Sequence, residues 1–217
     1  MTIGRGLLGR VLPGAVAVLA LAGAALGAAP GRADAGEDTG GYFSDDDGSV
    51  HELALDALAE RGVLVGIECG EGLICPGEPL KRWEMAVWLV RVLDSTDPAP
   101  MDVSRFTDVD AERWWAPFLD RLYALGVTAG CATEPAQFCP EGDVTRAQMA
   151  TFLKRALDLE PAPSAGFADV SGGPHAANID VLAAAGITGG CSRDPLRYCP
   201  ANSVTRAQMA TFLARAL

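Results

Sequence analysis

The chain is poor in the residues on which most catalytic sites depend. Its 217 residues include only two histidines, His51 and His175, and aromatic residues make up 6% of the composition. No Ser-His-Asp, Cys-His or metalloprotease spacing is present, and no pair of carboxylates recurs along the chain as a glycosidase would need. We therefore expect a protein that is not an enzyme and needs no cofactor or metal.

Positive charge is also scarce. The 17 lysines and arginines face 28 aspartates and glutamates, which gives a net charge of −11. Binding to nucleic acid depends on neutralising phosphates, so the charge excludes nucleic acid as a partner. An anion bound by such an acidic chain must be held by a local group of positive charges.

Long apolar runs are missing except near the start of the chain. Arg5 and Arg10 accompany an apolar stretch at 11–26, and an Ala-Asp-Ala cleavage site follows. This pattern predicts a secretory signal peptide at residues 1–35. A membrane anchor is the alternative, but the apolar stretch is short and interrupted. We expect a secreted protein without a membrane span after cleavage.

What the chain does contain is a repeat. Val144–Leu157 recurs sixty positions later as Val204–Leu217, with one difference between Lys154 and Ala214. A divergent copy lies upstream, at an offset of 64. Such self-similarity indicates an array of one structural unit. The predicted repeats span residues 36–97, 98–160 and 161–217.

All six cysteines follow the predicted signal peptide, two in each repeat. Six cysteines allow fifteen pairings, and the repeat favours pairing inside each copy. Zinc is the alternative, but no second cysteine pair or nearby histidine accompanies them. An oxidising compartment agrees with secretion. The predicted disulfides are Cys69–Cys75, Cys131–Cys139 and Cys191–Cys199.

Each repeat is predicted to form a helix, a cystine loop and a second helix. In the second repeat Gly126 stands where the first helix would end. Thr145 and Gln148 have the spacing of a capping box at the start of the second helix. We expect a mostly all-α fold in which the three units pack in a pseudo-threefold bundle. Four apolar residues define the face of the first helix: Trp115, Phe118, Leu119 and Leu122.

The repeated motifs resemble the S-layer homology domain. They are Phe-x-Asp-Val, Trp-Ala, Leu-Gly-Val/Ile-Thr, and Thr-Arg-Ala-Gln at the head of the second helix, and together they cover residues 43–217. The resemblance implies a cell-wall module that binds secondary cell-wall polysaccharide, often pyruvylated, in grooves between repeats. Cell-wall polysaccharide is the implied partner, with other surface proteins as further candidates.

The resemblance also implies a set of ligand-binding residues. The carboxylate-binding arginine of the family corresponds to Arg146 and Arg206, and to Arg82 in the divergent copy. A guanidinium at a helix N-terminus is a good anion receptor, although the helix dipole disfavours a cation there. The alternative is an ion pair with Asp108 or Asp169, which could equally orient the arginine.

Departures from the family pattern predict unequal grooves. Gln148 and Gln208 replace a glutamate that the first repeat keeps. His51 and His175 align with Trp115, a residue that we expect in the groove or in the contact between repeats. The best grooves should be built from the second and third repeats, and packing or hydrogen bonding is the expected role of the histidines.

The first repeat begins with an acidic segment. Asp45–Ser49 resembles part of a calcium loop, but Phe43 and Ala54 occupy positions that need acids, so we expect a solvated turn.

The alternative function is a secreted protein-interaction or structural module that kept the fold without binding sugar. The negative charge and the lost glutamates favour that alternative.

Overall fold

A computed structural model describes residues 41–94 and 96–217. The predicted signal peptide at 1–35 lies outside these residues. The described chain is mostly helical, with two helices in each repeat, as predicted. Within it, no helix is both long and apolar enough to cross a bilayer. The helices are α1 (Glu52–Glu60), α2 (Arg82–Leu93), α3 (Ala116–Ala124), α4 (Arg146–Ala156), α5 (Ala176–Ala184) and α6 (Arg206–Ala216).

Local sequence determines where these helices begin and end. The hydroxyl of Thr145 accepts the N–H of Gln148 at 3.2 Å, and the Gln148 side chain accepts the N–H of Thr145 at 3.1 Å. This reciprocal capping starts α4 where the sequence predicts it. After α3, Gly126 adopts a φ of 73°, a left-handed conformation that favours glycine.

Small antiparallel hairpins, which the sequence did not predict, lie inside the cystine loops of the second and third repeats. Two-residue strands carry too little alternation to be recognised in a sequence. The disulfides join the pairs that the repeat predicts, Cys69–Cys75, Cys131–Cys139 and Cys191–Cys199. The strands are β1 (Ala132–Thr133) paired with β2 (Ala136–Gln137), and β3 (Ser192–Arg193) paired with β4 (Leu196–Arg197).

The helices pack between repeats in a cyclic order. The first helix of one repeat contacts the second helix of the preceding repeat, so α3 packs on α2 and α5 packs on α4. The contact between α1 and α6 completes the order. A single apolar core runs through all three repeats, so each small unit buries its apolar face against a neighbour.

A ring of three backbone hydrogen bonds lies at the centre of this arrangement. The segments before α2, α4 and α6 meet there. The N–H of Leu80 donates to the carbonyl of Val204 at 2.8 Å, Val204 donates to Val144 at 2.9 Å, and Val144 donates to Leu80 at 3.0 Å. All three side chains are fully buried. The starts of the three second helices are therefore fixed relative to one another.

The acidic turn before α1 is not fully solvated, and the prediction is wrong for Asp46. Its side chain is 1% exposed, and neither carboxylate oxygen has a hydrogen-bond partner among the described residues. Val109 and Val170 take the same place in the other repeats, so this position faces the core. Burial and the charges of Asp56 and Glu52 raise the pKa of Asp46 to about 6.

Replacing Asp46 with valine should stabilise the fold. Removing a buried, unsatisfied polar group should raise the free energy of unfolding at neutral pH by about 1–3 kcal/mol. The unfolded carboxyl ionises near 3.8, whereas the folded one stays protonated up to about pH 6. The part of the destabilisation that comes from ionisation is therefore absent below the first value and complete above the second.

Urea unfolding at several pH values measures this effect. The gain in Asp46→Val should be largest above pH 6 and should shrink on acidification. Asp47→Val is the matched control, because Asp47 is exposed and its replacement removes the same charge from the same turn. Equal stabilisation by the two variants would contradict the assignment.

Candidate functional site

The three predicted arginines are buried between repeats. Arg82, Arg146 and Arg206 are 6%, 6% and 8% exposed. Each begins a second helix and reaches the cystine loop of the next repeat in the cyclic order. Nε of Arg82 donates to the carbonyl of Phe138 at 2.9 Å, and Nε of Arg146 donates to that of Tyr198 at 2.8 Å. These bonds fix the orientation of both guanidinium groups.

Aromatic rings flank the same two guanidinium groups. The central carbon of Arg82 lies 5.0 Å from the ring centroid of Phe138 and 5.3 Å from that of Phe152. Arg146 stands equivalently against Tyr198 and Phe212, at 4.7 and 5.5 Å. The rings contribute cation–π attraction and exclude water.

Each of these two groups has a buried nitrogen that no described residue bonds. Nη2 of Arg82 and Nη2 of Arg146 are buried, and neither has a hydrogen-bond partner among the described residues. Burial lowers the pKa of both arginines, yet a guanidinium remains charged in proteins. A buried cation with an unused donor is costly unless an anion completes it.

Each of these arginines lines a cavity. Groove 1 has a volume of about 190 Å³, and groove 2 a volume of about 320 Å³. No carboxylate lines either of them, so both are positive sites in an acidic protein. Groove 1 is lined by Arg82, Thr128–Gly130, Gln148, Thr151, Phe152, Arg155 and His175. Groove 2 is lined by Arg146, Thr188–Cys191, Gln208, Thr211, Phe212, Arg215 and His51.

The third interface, where Arg206 meets the first repeat, is built differently. Nη1 of Arg206 donates to the carbonyl of Ile74 at 2.8 Å, and Nη2 forms an ion pair with Glu84. Glu84 is 2% exposed, and its second oxygen accepts the N–H of Lys81 at 2.9 Å. Glu84 occupies the place of Gln148 and Gln208, so a carboxylate of the protein itself neutralises this arginine.

Aromatic residues of the second repeat cover the rest of the third interface. The indole of Trp114 lies against Gly66, where a Cβ would approach it to 3.4 Å. The guanidinium of Arg91 stands 5.7 Å from the Trp114 centroid and donates to the carbonyls of Val63 and Val65. The equivalent residues Arg155 and Arg215 donate to the carbonyls of Val127 and Ile187 at 3.2 Å and also line the grooves.

The other predicted ligand residues have identifiable structural contacts. Asp108 accepts the N–H groups of Phe138 and Cys139 at 2.8 and 2.7 Å, and Asp169 makes the equivalent pair of bonds in the third repeat. These bonds hold the second cysteine of the loop at a positive φ of 56°. Trp115 is 7% exposed and stacks on Trp83, with centroids 5.6 Å apart.

Sequence reasoning gave Arg82, Arg146 and Arg206 one role and expected the best grooves in the second and third repeats, but it did not show which residues each arginine faces. Each interface combines residues of three repeats: the arginine of one repeat, the second helix of the next, and the residue at the histidine position of the third. Arg82 therefore lies in an open groove, and Arg206 lies in the closed interface. The sequence does show that the first repeat has a glutamate, Glu84, where the other two have glutamine. This difference predicts which interface is closed only when the arginine that Glu84 faces is known.

Two comparisons with known proteins bear on this arrangement. A family model described as the S-layer homology domain matches residues 105–150. An endoglucanase of Bacillus sp. (strain KSM-635) is 29% identical over 133 residues. The match covers 61% of this chain and 14% of the endoglucanase, so the chain corresponds to a small part of that relative.

Removing the carboxylate of Glu84 should strongly destabilise the protein. Glu84→Ala leaves Arg206 buried without its counterion, and breaking such a pair costs about 3–5 kcal/mol. Gln148→Ala removes only a capping interaction at the equivalent position and should cost about 1 kcal/mol or less. Chemical denaturation of both variants measures the difference, and similar losses would argue against the ion pair.

Proposed function

Because residues 105–150 form an S-layer homology domain, we propose that this chain attaches non-covalently to the cell wall by binding an anionic polysaccharide. Domains of this kind attach proteins to cell walls in general. Grooves 1 and 2 are the binding sites in this proposal, with Arg82 and Arg146 as the residues that bind the anion.

The unused Nη2 donors of Arg82 and Arg146 are the observation that carries the proposal. A desolvated cation without a counterion lowers the stability of the fold. An anionic ligand recovers that cost on binding, since charge-assisted hydrogen bonds in a desolvated site are strong. The fixed Nε bonds orient the fork in advance, which lowers the entropic cost of binding.

The third interface supports a carboxylate as the anionic group. There the Nη2 of Arg206 is bound by the carboxylate of Glu84. A ligand carboxylate at the corresponding place would accept hydrogen bonds from Arg82 beside Gln148, and from Arg146 beside Gln208. A pyruvate ketal on a sugar presents such a group, and the flanking aromatic rings and threonines suit the rest of a saccharide.

The cyclic order of contacts supports a pseudo-threefold arrangement of the repeats. Equivalent backbone bonds join Arg82 to Gly142, Arg146 to Asn202 and Arg206 to Glu78, at 2.9, 2.8 and 3.0 Å. Such an arrangement creates three equivalent interfaces. Sequence differences then decide which of them bind, and two do so in this proposal.

The domain indicates a protein of the cell surface or cell wall, and we propose that it reaches that place by secretion. The signal peptide predicted at 1–35 would direct export, and the three disulfides suit an oxidising compartment. The chain would then act as a binding protein without catalysis of its own. Other surface proteins are further candidate partners.

A structural or protein-interaction module is the second candidate function. The third interface favours it, because Nη1 and Nη2 of Arg206 there both have partners within the protein. If grooves 1 and 2 bind no anion, their arginines serve packing alone. The two candidates differ in what happens when the arginines are replaced by an apolar residue of similar length.

Co-sedimentation with wall sacculi from the producing cell tests the proposal. Purified, oxidised protein should pellet with intact sacculi and stay in solution with sacculi stripped of secondary polymer. The double variant Arg82→Met, Arg146→Met should lose retention by at least tenfold, because the donors proposed to bind the anion are gone. Its stability should be nearly unchanged, since buried charges can be replaced by apolar groups at little cost.

The matched control makes the same replacement in the closed interface. Arg206→Met combined with Glu84→Met removes both members of the ion pair and should retain wild-type pelleting. Retention in the first double variant, or failure of folded wild-type protein to pellet with intact walls, would reject the binding function. Strong destabilisation of the first variant would favour the structural module.

A further inference from the structure

We infer that His51 and His175 are binding residues of grooves 2 and 1, and that each takes up a proton when an anion binds. Wall binding should therefore strengthen as the pH falls. This inference rests on the proposed function and adds the residues that regulate it. It replaces the expectation that the histidines serve packing or hydrogen bonding alone.

Both histidines bridge two repeats at a groove. His175 immediately precedes α5, and its Nδ1 lies 2.7 Å from the hydroxyl of Thr151 on α4. His51 immediately precedes α1, and its Nδ1 lies 2.7 Å from the hydroxyl of Thr211 on α6. Each imidazole is half-buried and lines the cavity of its groove. The ring is thus held in place by one nitrogen, while the other is left for a ligand.

The hydrogen bonds in groove 1 indicate which nitrogen carries the proton. Nδ2 of Asn178 donates to the Thr151 hydroxyl oxygen at 2.8 Å. With that bond in place the hydroxyl can donate to Nδ1 of His175, and we assign the proton of the neutral ring to Nε2 on this basis. Nε2 remains a donor after a second proton reaches Nδ1, which then donates to the threonine. Protonation therefore adds charge without losing a donor.

Positive groups surround both imidazoles. Arg82 and Arg155 line groove 1 with His175, and Arg146 and Arg215 line groove 2 with His51. Asp169 is the carboxylate that lines a neighbouring cavity together with His175, and its two oxygens accept backbone N–H groups of the cystine loop.

On its own helix, His51 is followed by Glu52, whose carboxylate accepts the N–H of Gly48 at 2.7 Å. Burial and then the charge of Arg155 lower the pKa of His175, and burial and then Arg215 lower that of His51. Both rings are therefore neutral near pH 7 in the free protein.

A bound anion reverses this balance. It neutralises the nearby arginines and attracts an imidazolium, so the pKa of the histidine rises in the complex. By linkage, a ligand that raises a pKa binds more tightly at lower pH. The closed interface shows the contrast, because Trp115 occupies the histidine position there and cannot titrate.

Sedimentation at pH 7.5, 6.5 and 5.5 with intact sacculi tests the inference. We expect the apparent Kd of the wild type to fall by about tenfold across this range, the effect of one coupled proton over one pH unit. The variant His51→Gln, His175→Gln keeps a polar contact to each threonine and should bind with little pH dependence. It also controls for the general loss of negative charge on acidification.

The imidazole C2–H signals in NMR give an independent reading. Solubilised secondary polymer should raise both histidine pKa values, and Arg82→Met, Arg146→Met should abolish that rise. Wild-type protein that pellets equally at all three pH values, or that keeps its histidine pKa values with polymer, would overturn the inference and leave the proposed function standing. Wild-type protein that pellets at none of them would reject both.

Discussion

The ring of backbone hydrogen bonds among Leu80, Val144 and Val204 is the constraint on which the rest of the structure depends. Each bond joins a different pair of repeats, so no single repeat can form any of them alone. The ring fixes the starts of α2, α4 and α6, and the arginine two residues later in each copy must then point into an interface. Each guanidinium is held in its interface by a hydrogen bond to a carbonyl of the next cystine loop.

Burial of the three arginines turns a small sequence change into a difference in electrostatic environment. A carboxylate at the fourth position of the motif neutralises the arginine inside the protein, as Glu84 does for Arg206. An amide at the same position caps the helix but supplies no charge, as Gln148 does for α4. The Nη2 of an arginine that faces an amide has no partner among the described residues, whereas the Nη2 of Arg206 has a carboxylate. The identity of the residue at this one position therefore decides whether the protein itself supplies a counterion.

Much of the fold could be predicted from the sequence, for physical reasons that are local. The capping box at Thr145, the left-handed glycine at Gly126 and the cysteine pairs act over a few residues, and the repeat presents them more than once. The site was harder, because it is assembled from three repeats at once. Which arginine faces Glu84 depends on packing between residues 122 positions apart. The burial of Asp46 was missed because its neighbours in sequence are acidic, whereas its neighbours in space are set by the path of the chain.

The overall negative charge and the positive grooves have complementary consequences. Exposed acids keep the protein soluble and are screened beyond about 8–10 Å at physiological salt, so they repel an anionic polymer only weakly at close range. The grooves act inside that distance, where burial strengthens each interaction. In the proposed function, an anionic chain that presents a compact carboxylate would enter, whereas a polymer whose charge is spread along a wide backbone would meet mostly acids. Selectivity would then follow from the contrast between a repulsive surface and a few desolvated donors, and the same contrast would make binding sensitive to one proton on each imidazole.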